Sequence, residues 1–174
     1  GLADLLEYPT EHSAKIKSPE NTYEIPAGFF GVPADLDNSE LGSIISPLAI
    51  EQAKEKDSQP FLNYESVEDL TVSRLGEEFF QKLVEPVVSG VHGQSAKTIP
   101  AQRIFGSVIE KAKELDSLTA AVGFLRPKNS RPGSAVGSIR GGMHVVIDAL
   151  QKSLEDLGVE IITESAVESL SLNS

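Results

Sequence analysis

Short stretches of alternating character mark the N-terminal part of the chain as β-structure. Residues 14–17 and 22–25 alternate around the segment Ser-Pro-Glu-Asn at 18–21, whose proline and asparagine favour a turn. The pattern therefore predicts a β-hairpin, preceded by a short helix over residues 1–6. Between 27 and 60, prolines separate short apolar pieces from a charged helical run at 51–56, which indicates loops and short helices.

The middle of the chain carries helical periodicity. Ser66 and Asp69 stand at the spacing of a capping box, which predicts a helix starting there. Beyond Gly76 apolar residues recur every three or four positions, so a second helix buries one face and bends where Pro86 removes a hydrogen bond. A third helix is predicted at about 101–115. The expected buried positions are Phe79, Leu83, Val84, Val87, Val88 and Val91 in the second helix, and Ile104, Val108, Ala112 and Leu115 in the third.

Proline, glycine and basic residues dominate 126–137, which predicts a mobile loop. Regular structure is predicted to resume at Ile139. A long apolar-faced helix follows the pair Gly141-Gly142 and ends at Gly158, where a left-handed C-terminal cap belongs. Residues 159–163 are predicted to form a strand. The fold class is therefore α+β and mostly helical, with a hairpin and terminal strands left from an incomplete sheet.

Composition narrows the classes of function. The 174 residues, 40% hydrophobic and 24% charged, are typical of one soluble globular domain. A net charge of −11 repels phosphates, which argues against nucleic-acid binding. The chain contains no cysteine, and this excludes disulfides and thiolate chemistry. No apolar stretch is long enough to span a membrane, and no signal peptide is recognisable.

Local motifs predict neither a metal site nor catalytic residues. His12, His92 and His144 fall in separate elements, without the spacing that places two ligands on one helical face. Adjacent acids such as Glu77 and Glu78 at a helix start complement the helix dipole. The glycine pair at 141–142 is the most informative feature. It lets backbone approach a nucleotide or another chain at a helix N-terminus, or it forms a plain loop-to-helix junction. It is not a Gly-x-Gly-x-x-Gly fingerprint, and no preceding strand is predicted.

Several short blocks share one resemblance. Residues 74–78 (RLGEE), 84–86 (VEP) and 89–93 (SGVHG) resemble, in order, the RLG-x-E, L-x-E-P and G-[VI]-[YF]-x-G series of protoporphyrinogen oxidases. Residues 138–143 (SIRGGM) resemble that family's S-[FL]-[RK]-G-G-[LM] block, and 25–33 its P-x-G…G-[VI]-P turn. The resemblance covers nearly the whole chain.

The resemblance implies an FAD-dependent oxidoreductase of haem biosynthesis. Such a flavoprotein removes six electrons from coproporphyrinogen III or protoporphyrinogen IX and passes them to oxygen. The chain would be an internal, substrate-side fragment, inactive alone and without its own FAD. The implied substrate contacts are Arg140, Gly141, Gly142 and Met143, and Val167 would meet the adenine end of FAD through its backbone. Some members place an arginine near Ala14; here Lys15 or Lys17 would replace it, without the guanidinium's planar fork.

The expected organisation has three parts: an opening helix, hairpin and turn over 1–36, a helical domain over 37–137, and the double-glycine helix and strands over 138–174. The expected location is the cytoplasm, with weak peripheral membrane contact through the apolar residues of 29–50 left open. An exposed sheet edge predicts either a homodimer or fraying at the ends of the chain. Two alternatives stay open: an acidic helical protein-interaction module, and another relative of the flavin amine oxidases.

Overall fold

The computed structural model describes residues 2–9, 14–127 and 137–171. Contacts divide the chain into two compact units, one formed by 1–12 with 131–174 and the other by 13–130. His12 and most of the predicted loop 126–137 lie outside the described residues. The fold is α+β and mostly helical, as the sequence predicts.

The elements have the following bounds. The strands are β1 (Leu6–Glu7), β2 (Lys15–Lys17), β3 (Thr22–Glu24), β4 (Gly28–Phe29), β5 (Val32–Pro33) and β6 (Ser138–Ile139). The α-helices are α1 (Pro47–Asp57), α2 (Val67–Arg74), α3 (Glu77–Phe79), α4 (Glu85–His92), α5 (Ala101–Leu115), α6 (Leu118–Leu125) and α7 (His144–Asp156). Ala3–Leu5 and Ser39–Ser43 are 3-10 helices, and Phe80–Val84 is a π-helix that joins α3 to α4.

The predicted hairpin is present in the unit 13–130. Strands β2 and β3 pair antiparallel, with Lys15 opposite Glu24, Ile16 opposite Tyr23 and Lys17 opposite Thr22. The Ser18 amide donates to the Asn21 carbonyl at 2.8 Å and closes the turn. Because side chains alternate along a strand, Ile16 and Tyr23 pack against the core while the two lysines are exposed.

A second small hairpin joins β4 to β5 through a strained turn. Phe30 has a φ of 47° and Gly31 a φ of 83°. A Cβ on Gly31 would lie 2.5 Å from the Leu83 carbonyl oxygen, so only glycine lets this turn rest on the π-helix. The rings of Phe29 and Phe30 meet edge to face, 4.8 Å between centroids, and both contact the Phe105 ring.

The predicted helix start at Ser66 is confirmed, since its hydroxyl accepts from the Asp69 amide at 3.0 Å. The reciprocal bond is displaced by one residue, because the Asp69 carboxylate accepts from the amide of Glu65. Both hydrogen bonds fix where α2 begins.

The bend predicted around Pro86 takes the form of a π-helix. Proline lacks the amide hydrogen and clashes with the carbonyl four residues before it, and the widened turn just upstream accommodates both effects. Phe79, Leu83, Val84 and Val88 are buried as predicted, but Val91 is 64% exposed. The helix ends at Gly93 in the left-handed conformation.

Helix α5 is confirmed, and Val108 and Ala112 are buried as predicted, but the buried face is shifted at both ends of the helix. The non-helical backbone of Phe105 kinks it, and the Phe105 ring is fully buried, whereas the predicted Leu115 is 43% exposed. The sequence did not predict α6, which starts at Ser117 with a hydroxyl accepting from the Ala120 amide at 3.0 Å. Helices α5 and α6 pack together around one core, where α5 also packs against α2, α6 against β5, and α2 against the π-helix.

The unit that contains 137–171 is built on a short sheet and one helix. Strands β1 and β6 pair antiparallel, with Leu6 opposite Ile139. Helix α7 ends as predicted, because Gly158 has a φ of 77° and its amide donates to the Glu155 carbonyl. The strand predicted at 159–163 is wrong. A strand requires a hydrogen-bonded partner, and these residues pair with no other described segment.

Candidate functional site

The double-glycine segment is a tight turn between β6 and α7. Gly141 and Gly142 have φ angles of 95° and 107°, which side chains rarely allow. The Gly142 amide donates to the Ile139 carbonyl at 2.8 Å, and the Val145 amide donates to the Gly142 carbonyl at 3.2 Å. A short strand does precede the glycines, contrary to the prediction. The segment is therefore strand, turn and helix, although it lacks the spacing of a dinucleotide fingerprint.

Neighbouring side chains crowd the glycine turn. A Cβ on Gly142 would lie 3.0 Å from Nδ1 of His144, and one on Gly141 would lie 3.3 Å from Cγ2 of Val145. Both glycines are thus fixed by backbone conformation and by the first turn of their own helix. Met143 follows them and is 60% exposed.

Arg140 is anchored to β1 and to the 3-10 helix just before it. Its amide donates to the Leu5 carbonyl at 2.8 Å, and its Nε donates to Oε1 of Glu7 at 2.6 Å. The two side chains are about half exposed, so this pair orients the guanidinium without removing it from solvent. Arg140, Gly141, Gly142 and Met143 therefore form one contiguous, solvent-facing surface beside the start of α7.

The other predicted contacts lie elsewhere. Val167 belongs to the same unit but stands in an irregular segment and is 77% exposed. Lys15 and Lys17 belong to the unit 13–130. Lys15 stands opposite the acidic Glu24, whereas Lys17 stands opposite the neutral Thr22. Opposite charges directly across two strands attract each other, so Lys17 is the less compensated cation.

Lys17 lines a cleft of about 440 Å³. The cleft lies between the turn of the β2–β3 hairpin and the helical segment that contains the π-helix. Its lining consists of Ile16, Lys17, Ser18, Pro19, Glu20, Tyr23, Ile44, Gln81, Lys82 and Pro86. These residues come from separate parts of the sequence, and no spacing rule would have grouped them. The volume lies within the range of small-molecule sites.

The second lysine of the cleft is held by fixed partners. The Lys82 ammonium donates to Oε1 of Glu78 at 2.7 Å and to the Ile44 carbonyl at 2.9 Å. Glu78 also accepts from the amide and the hydroxyl of Ser46. Burial alone would raise the pKa of Glu78, but the hydrogen bonds from Lys82 and Ser46 outweigh burial and lower that pKa. Glu78 therefore stays ionised and keeps Lys82 in place.

Arg74, the first residue of the RLG block, is a buried structural residue. It is 1% exposed, and its Nε donates to Oδ1 of Asp57 at 3.2 Å. Its terminal nitrogens donate to the carbonyl oxygens of Gln59 at 2.8 Å, Asp57 at 2.6 Å and Asp116 at 2.7 Å, and a weaker contact reaches Pro60. One guanidinium thus joins α2 to the end of α1 and to the loop before α6.

Asp57 completes this network from the other side and was missed by sequence reasoning. Its carboxylate, 3% exposed, accepts from the amides of Leu118 at 2.8 Å and Thr119 at 3.0 Å. The hydroxyls of Ser117 and Thr119 also donate to it, at 2.8 and 2.7 Å. Asp57 therefore caps α6 from a position about 60 residues earlier in the chain, and the charged run 51–56 gave no local signal of this role.

Glu85, the acid of the second block, also has a structural role. Its two oxygens accept from the Ser95 hydroxyl at 2.9 Å and from the Ala96 amide at 2.8 Å, which holds the loop after α4. The hydroxyl of Ser89 is buried and has no hydrogen-bond partner among the described residues. The blocks at 74–93 therefore build the scaffold, and catalytic chemistry is not assigned to them.

The described residues form neither a metal cluster nor a phosphate-binding loop. No group of three histidine, aspartate or glutamate side chains within 2–9, 14–127 and 137–171 is arranged to hold a metal ion. None of the described helices is both long and apolar enough to span a membrane. The glycine turn offers exposed backbone beside a helix N-terminus but no phosphate-binding spacing. The described part of the chain therefore does not fit a complete FAD site.

Three proteins whose sequences are similar to this chain are named coproporphyrinogen III oxidases. The chain is 26% identical to a coproporphyrinogen III oxidase of Staphylococcus aureus over 98% of its own length, and 30% identical to those of Mycobacterium bovis and Mycobacterium tuberculosis over 76%. It spans 39% of the first of these proteins and 28% of the other two. No protein-family model matches the chain.

A solved structure shares the fold. The crystal structure of a protein described as a protoporphyrinogen oxidase of Exiguobacterium sp. 255-15 matches 88% of this chain with a TM-score of 0.69 and 20% sequence identity. This chain spans 35% of that protein. At this level of identity the likeness concerns the fold.

Proposed function

Because the chain is related to the porphyrinogen oxidases, we propose that it forms the substrate-side part of an FAD-dependent coproporphyrinogen III oxidase. The observation that carries this proposal is the similarity to a protein of that name over 98% of the chain. Since the chain spans 39% of that relative, the activity belongs to a longer protein, and this chain alone is expected to be inactive.

In this proposal the exposed surface at 140–143 contacts the porphyrinogen. The glycines keep side chains out of the turn, and Arg140 supplies a cation close to it. Coproporphyrinogen bears propionates where protoporphyrinogen bears vinyl groups, so basic residues matter more for coproporphyrinogen. Lys15 or Lys17 would meet one propionate as a point charge.

The reaction removes six electrons from the porphyrinogen in three two-electron transfers, with oxygen as the acceptor. FAD, when bound by the longer protein, supplies the hydride-accepting chemistry, and the backbone near Val167 would contact it. The residues of this chain bind and orient the substrate. No proton transfer or other catalytic step is assigned to them.

Peripheral membrane contact and a homodimer in the cytoplasm are further proposals. Of the apolar residues in 29–50, Ile44 and Ile45 are 6% and 1% exposed and belong to the core. Contact with a membrane would therefore depend on Phe29 and Leu48, which are 38% and 69% exposed. Liposome flotation of the Leu48→Asp variant would test this, because loss of an exposed apolar side chain should weaken binding.

The activity is tested on the full-length protein that contains this chain. Porphyrin fluorescence is followed after addition of coproporphyrinogen III or protoporphyrinogen IX, and the faster oxidation is expected with coproporphyrinogen III. Gly142→Ala should lower turnover at least about tenfold, since the added methyl group displaces the turn that faces the substrate. Gly158→Ala is the matched control, because it also has positive φ and lies at the other end of α7.

Two results would contradict the proposal. One is a flavin-loaded full-length protein that oxidises neither porphyrinogen. The other is recovery of stoichiometric flavin with the 174-residue chain alone, seen in its visible absorption, because the described residues do not form a complete flavin site. Equal loss of activity in Gly142→Ala and Gly158→Ala would show that the glycine turn is not part of the substrate site.

A further inference from the structure

The β1–β6 ladder brings Glu7 to the glycine turn. Its register places Glu7 opposite Ser138. Further along, the amide of Arg140 donates to the Leu5 carbonyl at 2.8 Å. Side chains two positions apart along a strand lie on the same face of a sheet, so Glu7 and Arg140 are diagonal neighbours on one face. This register explains the distance of 2.6 Å between Nε of Arg140 and Oε1 of Glu7, which are 133 positions apart in the sequence.

The ion pair occupies only one side of the Arg140 guanidinium. A guanidinium has one N–H group on Nε and further N–H groups on its two terminal nitrogens. Glu7 accepts from Nε, and the terminal nitrogens of Arg140 donate to no residue in the ranges that the structure describes. The buried Arg74, by contrast, donates from both terminal nitrogens to the carbonyl oxygens of Gln59 and Asp57. Arg140 is therefore held at Nε and presents its terminal nitrogens to solvent.

Glu7 decides which way those terminal nitrogens point. The Arg140 side chain is 65% exposed, so packing does not fix it, and an unrestrained arginine side chain populates many rotamers. The ladder beneath it is two residues long, and the backbone beyond it turns sharply at Gly141 and Gly142. Among the described residues, the Glu7 carboxylate is the side-chain contact that limits the rotation of the guanidinium.

We propose that Glu7 is a positioning residue of the surface at 140–143, which aims the terminal nitrogens of Arg140 along the exposed turn and acts on the substrate only through Arg140. The identity of the substrate rests on the proposed function, whereas the contact between the two side chains does not. A positioning role and a purely electrostatic role predict opposite signs. Removal of a negative charge beside an anionic substrate should tighten binding, but removal of the residue that orients Arg140 should weaken it.

Kinetics of the full-length, flavin-loaded protein with coproporphyrinogen III test the sign. Glu7→Ala should raise KM about threefold, the effect of a solvent-accessible ion pair, and should leave kcat within about twofold. Glu7→Gln keeps an acceptor oxygen and should raise KM less. Asp4→Asn removes another exposed acid of the same unit and should leave KM unchanged. In an Arg140→Met background, Glu7→Ala should have no further effect on KM.

A second measurement does not depend on turnover. In the 174-residue chain with nitrogen-15-labelled arginine, the Nε–H of Arg140 should exchange with water about threefold more slowly than in Glu7→Ala, because a hydrogen-bonded proton is protected. Its signal is identified by its absence from Arg140→Met. If the full-length protein oxidises neither porphyrinogen, the proposed function fails, whereas slowed exchange still supports Glu7 as the residue that orients Arg140.

Three results would overturn the inference. The first is a KM for Glu7→Ala that is unchanged or lowered, which would leave only the electrostatic role or none. The second is an equal rise in KM when Glu7→Ala is made in the Arg140→Met background, since Glu7 would then act independently of Arg140. The third is the same rate of Nε–H exchange with and without Glu7.

Discussion

Replacement of Asp57 by alanine is the sharpest test of the buried network. The substitution removes a carboxylate that is 3% exposed and that receives hydrogen bonds from Arg74 and from the first residues of α6. The guanidinium of Arg74, 1% exposed, would keep its charge but lose its anionic partner. The variant should therefore be strongly destabilised.

The magnitude follows from the two interactions that disappear. Leaving one charge of a buried ion pair without its partner costs roughly 3–5 kcal/mol. Loss of the hydrogen bonds that Asp57 accepts at the start of α6, where the Ser117 cap remains, adds roughly 0.5–2 kcal/mol. Arg74 keeps the carbonyl oxygens of Gln59 and Asp116, which favours the lower end of the first range. We expect a loss of about 4 kcal/mol, a large share of the roughly 5–15 kcal/mol that stabilises most domains.

Urea denaturation provides the assay. Unfolding is followed by far-ultraviolet circular dichroism and by the fluorescence of the three tyrosines, of which Tyr64 has its ring 5.2 Å from the Phe61 ring that Arg74 covers. Glu110→Ala, which breaks an exposed ion pair with Lys113, is the control and should change stability by about 0.5 kcal/mol or less. The double variant Asp57→Ala/Arg74→Met should lose less than the sum of the single variants, since no unpaired charge remains.

A loss below about 1 kcal/mol for Asp57→Ala, similar to that of Glu110→Ala, would refute this reasoning. It would mean that the guanidinium is sufficiently satisfied by carbonyl oxygens. Additive effects in the double variant would refute the coupling between the two side chains.

Three further predictions concern other contacts. Gly31→Ala should destabilise the chain by at least about 2 kcal/mol, because its Cβ would lie 2.5 Å from the Leu83 carbonyl oxygen. Gly90→Ala, in open space within α4, should instead stabilise the chain by about 0.5–1 kcal/mol. Thermal unfolding compares the two variants, and equal effects would contradict the close contact at Gly31. The folded-state pKa of Glu78 is lowered, so its stabilising contribution is present above the ordinary value of 4.5 and is lost as pH falls below it. Glu78→Gln should therefore reduce the loss of folding stability that the chain shows as pH falls below 4.5. An unchanged loss would exclude Glu78 as its source. Glu85→Gln should speed hydrogen exchange at the Ala96 amide while leaving the Leu118 amide protected, and unchanged exchange at Ala96 would show that this bond does not hold the loop.

Elements that depend on residues close together in the sequence were predicted correctly. The β2–β3 hairpin, the start of α2 at Ser66 and the end of α7 at Gly158 each depend on residues within a few positions of one another. The same reasoning placed Arg140 to Met143 beside a helix start, because the glycine pair and the apolar period that follows it are adjacent in sequence.

Long-range contacts account for what was missed. Helix α6 is only eight residues long, and although Ser117 caps it locally, the amides of Leu118 and Thr119 are bound by Asp57 from a distant part of the chain, so its own segment shows only part of what stabilises its start. Phe105 was not predicted to be buried because the kink at that residue shifts the inner face of α5. The segment 159–163, which was expected to be a strand, has apolar β-branched residues but pairs with no described segment. A high β-propensity does not form a strand without a hydrogen-bonded neighbour.

The π-helix at 80–84 changes how sequences of this kind should be aligned. One extra residue in a helical turn rotates every later side chain by about 100°, the angle between successive residues of an α-helix. A homologue without a proline at the position of Pro86 would have no need of that residue and could lose it by a single-codon deletion while keeping α4 in the same orientation. An alignment with such a homologue should therefore carry its gap within the π-helical turn that precedes Pro86.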